Sequence, residues 1–296
     1  MQVLVIDIGG TAIKYNLFDA KGTPIETTHE EPTQIDFIKG TNHILDQVLT
    51  ITAHYAPVIE GVAISSAGVV DAQKGEIAYA GPTIPAYQGT AFKQAIQDAF
   101  QLPASVENDV SCAALGEVWR GAAKDQTSAV CLTLGTGIGG AVVLNGEIWH
   151  GYAHTAGEVG YLPINGHAWQ EIASTTALCQ RYSERAKVAQ VVDGRYILAQ
   201  YDAGEVLAKQ VLEETMLDFS LGLASICYLI NPERIIVGGG IMARSDVLLP
   251  MIKTSLSEVI QGEIFLPKDI VASPLGNDAN QYGALYHFLK EIVVQP

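Results

Sequence analysis

The chain has 296 residues, of which 48% are hydrophobic and 17% charged, and it carries a formal net charge of −15. This composition excludes an intrinsically disordered chain, and the length allows one large or two moderate domains with ample core. The negative charge repels a phosphate backbone, so we expect no nucleic-acid partner, and any bound phosphate must be held by local backbone dipoles and metal.

Two short glycine-rich turns, each between two strand patterns, lie 126 positions apart. The first hairpin covers residues 3–18 and the second residues 129–144, and a shift of 126 aligns Gly9 with Gly135. The repeat predicts a duplicated α/β lobe, although the matched segment is short enough for coincidence to remain the alternative.

The rest of the chain alternates between helix and strand patterns, which predicts two α/β domains. We expect helices at 34–54, 89–100, 109–119, 203–230 and 279–291, and strands at 58–65, 104–106 and 235–237. We place a small N-terminal lobe at residues 1–115, completed by the C-terminal helix 280–296. A large lobe at 116–279 then holds the second glycine turn.

The cysteines show no CxxC or CxC spacing: Cys112, Cys131, Cys179 and Cys227. We expect buried free thiols, which are typical of a reducing compartment. The chain enters a strand pattern without a basic leader, and no apolar run reaches the ~18 residues of a membrane span. The sequence therefore predicts a cytoplasmic protein with no membrane partner.

The first motif is the run Asp7-Ile8-Gly9-Gly10-Thr11-Ala12-Ile13-Lys14. Glycines at a strand end let backbone N–H groups approach an anion, and an aspartate there can hold a cation or a metal-bound water. An ordinary hairpin with a capping aspartate is the alternative. The run is not a Walker A loop, because no helix follows and GK[ST] is absent.

The second motif is Leu134-Gly135-Thr136-Gly137-Ile138-Gly139-Gly140. Glycines weaken a strand, so close approach of a ligand explains them better than a plain loop does. A dinucleotide fold would need a helix after the glycines, where this sequence has a strand. Two such turns, one in each lobe, would clamp a polyphosphate from both sides.

The third motif is Glu107-Asn108-Asp109, at a strand-to-helix junction. Asn108 can donate to and accept from a pair of hydroxyl groups, and Asp109 can take the proton of an attacking hydroxyl. A helix N-cap without catalytic function is the alternative, since Asn and Asp are favoured there.

The fourth motif places Glu158 between two glycines, with Glu171 further along the chain. Both carboxylates could accept hydrogen bonds from sugar hydroxyls, and solvated loop carboxylates are the alternative. Neighbouring histidines are interpreted as ordinary loop residues, because no cysteine or paired spacing supports zinc: His150, His154 and His167. The fifth motif, Gly238 to Gly240, ends a strand and offers a flat backbone surface for an adenine, or a plain βα turn.

Together and in this order, the five motifs resemble the ROK family, and the resemblance covers essentially the whole chain. It implies the actin-like, hexokinase-type α/β fold with a duplicated βββαβα core and a cleft between two lobes. It further implies an ATP-dependent sugar kinase that needs Mg²⁺ and phosphorylates a hexose hydroxyl, normally O6, by phosphoryl transfer. A homodimer is also implied.

The resemblance assigns roles residue by residue. Asp109 would be the catalytic base, and Asp7 would hold magnesium through water. The sugar contacts would be Gly68, Asn108, Asp109, Glu158, Tyr161 and Glu171. The ATP and phosphate contacts would be Asp7, Gly9, Gly10, Thr11, Lys14, Gly135, Thr136, Gly137, Gly139, Gly238, Gly239 and Gly240.

One departure from the family concerns zinc. Typical members have ExGH followed by a CxCGxxGC loop, and here Tyr161 replaces that histidine, with a short, cysteine-free interval to Glu171. We therefore expect no structural zinc. The missing loop could open the anomeric end of the sugar site to larger aglycones, or Tyr161 could close it. The sugar stays open among glucose, N-acetylmannosamine, fructose and β-glucosides.

Three other functions fit these motifs less well. A sugar-sensing repressor of the same family needs an N-terminal helix-turn-helix, and the first phosphate motif at residue 7 leaves no room for one. A catalytically inactive sugar-binding regulator is the main alternative, and the presence of Asp7, Asp109 and both glycine turns argues against it. A kinase for an acyl substrate is disfavoured, because Asn108, Asp109 and Glu158 suit a neutral polyol better than a carboxylate.

Overall fold

The computed structural model of the chain describes residues 1–293. These residues form two compact units. Unit 1 contains Met1–Lys124, His150–Thr155 and the chain from Asn277 onward, and unit 2 contains Asp125–Trp149 and Ala156–Gly276. The boundary predicted after residue 115 falls inside a helix, and the predicted C-terminal helix extends to residues 294–296, which lie outside the described part.

Unit 1 begins with a hairpin and continues with alternating strands and helices. Its elements up to residue 120 are β1 (Gln2–Ile8), β2 (Ala12–Asp19), β3 (His29–Pro32), β4 (Ile35–Asp36), β5 (Thr41–Asn42), α1 (Ile44–Tyr55), β6 (Gly61–Ser66), β7 (Val69–Asp71), β8 (Glu76–Tyr79), α2 (Phe92–Phe100), β9 (Ala104–Asn108) and α3 (Asp109–Arg120). The helix predicted over 34–54 is wrong before residue 44, where a short β-hairpin stands instead.

Unit 2 opens with the second hairpin and is richer in helices. Its elements are β10 (Ser128–Leu134), β11 (Ile138–Leu144), β12 (Glu147–Ile148), β13 (Pro163–Ile164), β14 (His167–Ala168), α4 (Trp169–Ala173), α5 (Thr175–Ala186), α6 (Gly194–Asp202), α7 (Val206–Leu229), β15 (Arg234–Gly238), α8 (Ser245–Val259) and β16 (Asp269–Ala272). The chain then returns to unit 1 as α9 (Ala279–Val293).

The two units contain sheets of the same topology. The order is β3-β2-β1-β6-β9 in unit 1 and β12-β11-β10-β15-β16 in unit 2. In each sheet the first strand pairs antiparallel with the second and parallel with the fourth in chain order, and the fifth is parallel to the fourth. The duplication predicted from the two glycine hairpins is therefore confirmed.

The first sheet is covered on both faces, which explains its nearly continuous apolar strands. Side chains alternate along β1, so Val3 and Val5 pack against α3 and α9 while Leu4 and Ile6 face the opposite core. Helices α3 and α9 lie so close together that a Cβ on Gly283 would collide with the Cys112 carbonyl oxygen. This packing carries the start of α9 to the carboxyl end of β1.

The core of unit 2 is built around the long helix α7. Trp169 is buried against it, stacks on Phe219 with ring centroids 5.1 Å apart and covers Gly222, where a Cβ would enter the indole ring. All four cysteines are buried, and none of them forms a disulfide within the described residues, as predicted. No helix within residues 1–293 combines the length and the apolar character needed to cross a lipid bilayer.

Candidate active site

The carboxyl ends of three parallel strands meet at one edge of the first sheet. In register, Asp7 of β1 lies beside Ser65 of β6, which lies beside Glu107 of β9. Asn108 and Asp109 follow where β9 passes directly into α3. The first and third predicted motifs are thus brought to the same edge, where open α/β sheets bind their ligands.

Asp7 is held by hydrogen bonds at one carboxylate oxygen. Its Oδ1 accepts from the Ser65 hydroxyl at 2.6 Å and from the Asn280 side chain at 3.3 Å. Burial raises the pKa of the Asp7 carboxyl, while these hydrogen bonds and the charge of Lys14 act in the opposite direction. Among the described residues, no hydrogen bond reaches Oδ2. A desolvated carboxylate with one open oxygen fits the neighbourhood of a cation.

The turn between β1 and β2 is open to solvent at its tip. The Gly9 N–H donates to the Ala12 carbonyl at 2.9 Å, and the Thr33 hydroxyl donates to the Gly9 carbonyl at 2.8 Å. Beside Gly10, the position of a Cβ has no atom within 4 Å, and its backbone φ is not in the left-handed region. Gly10 is therefore required neither by packing nor by backbone conformation, which favours ligand approach at this turn.

Asn108 caps α3 and orients the aspartate beside it. Its Oδ1 accepts from the Ser111 N–H at 3.0 Å, and its Nδ2 donates to the Gly68 carbonyl at 2.9 Å and to Asp109 Oδ1 at 3.0 Å. Asp109 Oδ1 also accepts from the Val110 N–H at 2.9 Å. The capping role and the proposed functional role thus coexist, and both amide hydrogens of Asn108 are already used.

Gly68 occupies the turn between β6 and β7. Its φ of +95° is strained for other residues, and a Cβ would stand 3.0 Å from the Tyr79 carbonyl oxygen. The hydrogen bond from Asn108 ties this turn to the start of α3. Gly68, Asn108 and Asp109, predicted as one set of sugar contacts, are therefore neighbours in the structure.

Sequence reasoning missed two residues of this edge. The Tyr87 hydroxyl lies 2.7 Å from Ser66 Oγ, and burial raises the pKa of Tyr87, with the Asp109 carboxylate acting in the same direction. The His150 ring nitrogen Nε2 lies 2.7 Å from Glu107 Oε2. The interpretation of His150 as an ordinary loop histidine did not include this contact with a buried carboxylate. Tyr87 stands in an irregular segment whose sequence carries no periodic signal.

The glycine motif of unit 2 has open space at Gly135 and close neighbours at Gly137 and Gly140. The Gly135 N–H donates to the Gly137 carbonyl at 3.0 Å, and the Gly135 carbonyl accepts from the Thr175 N–H at 2.9 Å. A Cβ on Gly137 would come within 2.7 Å of Gln170 Oε1. A Cβ on Gly140 would come within 2.7 Å of the Gly157 carbonyl. Gly139 lies in β11 opposite Thr133. Gly140 is thus explained by packing inside the unit.

The fourth motif follows this turn in space. Because Gly157 packs on β11, Glu158 projects at the start of a single turn of 3₁₀ helix, Val159–Tyr161. Glu158 is exposed, yet partial desolvation raises the pKa of its carboxyl. Tyr161 is 65% exposed. Glu171 accepts a hydrogen bond from the Ala168 N–H at 3.2 Å and so also serves as a cap for α4.

A pocket of about 920 Å³ lies within unit 2. Its walls include the second glycine turn at Gly135 and Thr136, the first turns of α5 and α6, and Gly240. Two helix N-termini therefore face one cavity, which favours an anionic ligand. The buried Thr175 Oγ1 lines it without a hydrogen-bond partner among the described residues. Apolar walls come from Cys179, Val191, Val192, Leu198 and Ile241.

The three glycines after β15 have different surroundings. A Cβ on Gly239 would collide with the Leu134 carbonyl oxygen, so this glycine allows β15 and β10 to end side by side. A Cβ on Gly238 would make an ordinary van der Waals contact with Ser273. A Cβ on Gly240 would have no atom within 4 Å. Of the three, Gly240 forms part of the pocket wall. The pocket itself was missed in the sequence, because its other walls come from residues without a glycine signal.

A model of the ROK family matches residues 3–291. The chain belongs to the ROK family. It is 31% identical to a β-glucoside kinase of Klebsiella pneumoniae, over 97% of this chain and 96% of that one. Among solved structures, a proposed N-acetylmannosamine kinase from Listeria monocytogenes superimposes with a TM-score of 0.87 at 30% identity, covering 98% of this chain and 99% of the other.

A ROK glucokinase from Streptomyces griseus, solved with glucose and AMPPNP, has a TM-score of 0.81 at 26% identity and covers 96% of this chain and 98% of its own. With its two five-stranded sheets, the present chain has the actin-like ATPase fold of these ROK structures, as predicted. The short, cysteine-free interval between Tyr161 and Glu171 contains the hairpin β13–β14. Within residues 1–293, no three His, Cys, Asp or Glu side chains are grouped to hold a metal ion. The absence of structural zinc stays a prediction.

Proposed function

We propose that this chain is an ATP-dependent sugar kinase that transfers the γ-phosphate to a hydroxyl, normally O6, of a hexose or hexose derivative. The observation that carries the proposal is the arrangement of Gly68, Asn108 and Asp109 at the carboxyl edge of the first sheet. Family membership supports it, since the relatives described above are named as sugar kinases and one is solved with glucose and an ATP analogue.

Asp109 would act as the base. Its Oδ1 is oriented by Asn108 and by the Val110 N–H, so the carboxylate has a fixed direction at the start of α3. It would accept the proton of the sugar hydroxyl as that oxygen attacks the γ-phosphorus. The leaving ADP oxygen carries away the bonding pair, and the products are the sugar phosphate and ADP.

Each unit carries some of the proposed sugar contacts. In unit 1, the Gly68 turn and Asn108 would line it, and Asn108 keeps one lone pair of Oδ1 for a hydroxyl donor. In unit 2, Glu158 and Glu171 would accept hydrogen bonds from hydroxyl groups, and Tyr161 would offer an aromatic face. The raised pKa of Glu158 reflects a carboxylate that lacks full hydration and therefore gains from such donors.

The nucleotide would occupy the pocket of unit 2. The apolar walls suit a base, and the orphaned Thr175 hydroxyl and the two helix N-termini suit its polar and charged groups. Gly135, Thr136 and Gly137 would offer backbone and hydroxyl donors to the phosphates, with Gly238, Gly239 and Gly240 beside the adenosine. Gly9, Gly10, Thr11 and Lys14 would approach the phosphates from the first turn.

Asp7 is the residue that would hold Mg²⁺, through water. Its buried carboxylate has an oxygen without a hydrogen bond in the described chain, and a nearby cation would offset the burial that raises its pKa. The metal supplies charge neutralisation at the β- and γ-phosphates. Ser65 and Asn280 keep the Asp7 carboxylate in one orientation for that role.

A coupled assay of ADP release with Mg-ATP tests the proposal. The sugar panel would contain glucose, fructose, N-acetylmannosamine, a β-linked glucose disaccharide and 6-deoxyglucose. We expect turnover with at least one sugar and none with 6-deoxyglucose. Turnover with 6-deoxyglucose would contradict the assignment of O6. Sugar binding by calorimetry with no ADP release from any sugar would instead establish a catalytically inactive sugar-binding regulator.

A further inference from the structure

We propose that Glu107 and His150 form a positioning pair that fixes the start of α3, and with it Asp109. The inference rests on the proposed function, because it concerns how the base of that reaction is oriented. Glu107 is 1% exposed, and its two carboxylate oxygens have separate partners. Oε1 accepts from the Asn108 N–H at 2.7 Å, and Oε2 lies 2.7 Å from His150 Nε2.

The buried carboxylate of Glu107 needs partners for both of its oxygens. A carboxylate so deeply buried is costly unless it is paired and hydrogen-bonded. His150 supplies that partner, and this hydrogen bond raises the pKa of His150 above its ordinary value, with burial acting in the opposite direction. Removing the imidazole would leave the buried carboxylate to take up a proton or to move toward water.

Hydrogen bonds connect Glu107 to the proposed base Asp109 through Asn108. The carboxylate holds the backbone of Asn108, whose side chain holds both the Gly68 carbonyl and Asp109 Oδ1. A change in the protonation or position of Glu107 therefore reaches Asp109 through one residue. Displacement of a catalytic group by about 1 Å can cost on the order of 100-fold in rate.

A short segment that returns to unit 1 supplies His150. Residues His150–Thr155 interrupt unit 2 in the sequence and belong to unit 1. Two histidine–carboxylate pairs join this segment to the rest of unit 1. One is His150 with Glu107, and in the other His154 Nε2 lies 3.7 Å from Asp71 Oδ2. The titratable groups that face the His150 ring are Glu107 on β9 and His154 on its own segment, whose ring centroid is 6.2 Å away.

The experiment compares His150→Ala, His150→Gln, Glu107→Gln and the double variant His150→Ala/Glu107→Gln. The control is His43→Ala, which removes an exposed histidine whose Nδ1 lies 3.4 Å from Asp46. We expect His150→Ala to lower kcat by roughly 10-fold to 100-fold with the KM for ATP changed by less than about 2-fold. His150→Gln keeps a donor for Glu107 and should recover most of that loss.

The double variant tests the pairing itself. Once Glu107 is neutral, the loss of His150 should cost little more, so the double variant should lie within about 2-fold of Glu107→Gln alone. Additive losses would overturn the pair. So would a kcat of His150→Ala within about 2-fold of that of His43→Ala, or a His150→Gln variant no better than His150→Ala.

A titration by NMR gives a readout that needs no turnover. In the wild-type chain the His150 pKa should lie above the ordinary value of a histidine, and Glu107→Gln should abolish that increase. An unraised His150 pKa would overturn the proposal even if His150→Ala fails to fold. If the wild-type chain phosphorylates no sugar, the proposed function fails. The His150 titration and the amide shifts of Asn108 and Val110 in His150→Gln then still decide whether the pair fixes the start of α3.

Discussion

The glycine turns of the two units lie at the same place in the same topology, yet the structural reasons for their glycines differ. In unit 1, Gly10 has open space around it and an unstrained backbone. In unit 2, Gly135 also has open space, and a Cβ on Gly137 would meet only the end of the flexible Gln170 side chain. A Cβ on Gly140, which follows the turn in β11, would instead clash with the Gly157 carbonyl. The second motif has more glycines, and packing within unit 2 explains at least Gly140. In the first motif, Gly10 is exposed and packing does not explain it.

A glycine count alone thus does not measure ligand binding. What separates the two turns is the neighbourhood of each Cβ position, which a single sequence does not reveal. Variants that change one unit and leave the other intact test whether the two turns differ in this way.

The largest effect is expected at the strand edge of unit 1. Asp109→Asn keeps the shape of the residue and removes the base, so kcat should fall by roughly 10² to 10⁴. Sugar affinity should change far less, because proton transfer matters mainly in the transition state. The measurement is kcat by coupled assay, with the sugar Kd by calorimetry.

Asp46→Asn is the matched control for this prediction, since Asp46 is an exposed aspartate in the first turn of α1. It should retain full activity. Retention of more than about a tenth of wild-type kcat in Asp109→Asn would remove Asp109 from the role of base.

The next effect is on stability and belongs to unit 2. Gly140→Ala forces a methyl group against the Gly157 carbonyl and Val159, so the free energy of unfolding should fall by about 1–3 kcal/mol. Thermal unfolding measures the loss. An unchanged Tm would show that β11 and the Gly157 segment can separate without cost, and the packing explanation of Gly140 would be wrong.

Gly10→Ala is the corresponding variant in unit 1. It should leave stability unchanged and affect ATP binding instead. Its methyl group meets no atom within 4 Å, so stability should stay within about 0.5 kcal/mol of wild type. If the turn receives phosphates, the KM for ATP should rise roughly tenfold, which corresponds to about 1.4 kcal/mol. Unchanged kinetics together with unchanged stability would leave the turn without a nucleotide role.

The sequence predicted the fold and most of the strand-end motifs because those signals are local. Apolar runs such as Val3 to Ile8 and the turn after Gly9 are visible in a short window. The helix predicted over 34–54 failed before residue 44 because the hairpin β4–β5 lacks a periodic pattern. Asn42, whose side chain accepts from the Ile44 N–H, marks the true helix start.

The missed parts of the site depend on contacts between distant residues. His150 and Glu107 are 43 positions apart, and no local pattern joins them. The pocket of unit 2 draws on residues from Gly135 to Arg244, where α5 and α6 present their N-termini. Ser174 and Asp193 are good N-caps in the sequence and could have revealed those two helix starts.

A smaller effect is expected on substrate breadth. Tyr161 is 65% exposed, so it does not fill a closed site within its own unit. We expect activity on a β-glucoside or N-acetylmannosamine at least comparable with that on glucose, measured as kcat/KM, and a change of only a few-fold in Tyr161→Phe. Glucose preferred by more than about 100-fold, or roughly 2.7 kcal/mol, would contradict an open anomeric end.

The smallest effect, none at all, is expected from metal chelation before Mg-ATP is added. In zinc-loop members of the ROK family the interval before the second glutamate is cross-linked by metal, and here it is the hairpin β13–β14. Its turn residues Asn165 and Gly166 have φ of +52° and +84°, the signs that a two-residue hairpin turn requires, and Asn-Gly is the preferred pair for it. The Asn-Gly turn and the packing of Trp169 therefore stabilise this hairpin without a metal ion. EDTA should leave the Tm unchanged, and elemental analysis should find far less than one zinc per chain. About one zinc per chain, together with a lower Tm in EDTA, would contradict this, and His154 and His167 would then be the first residues to replace in search of its ligands.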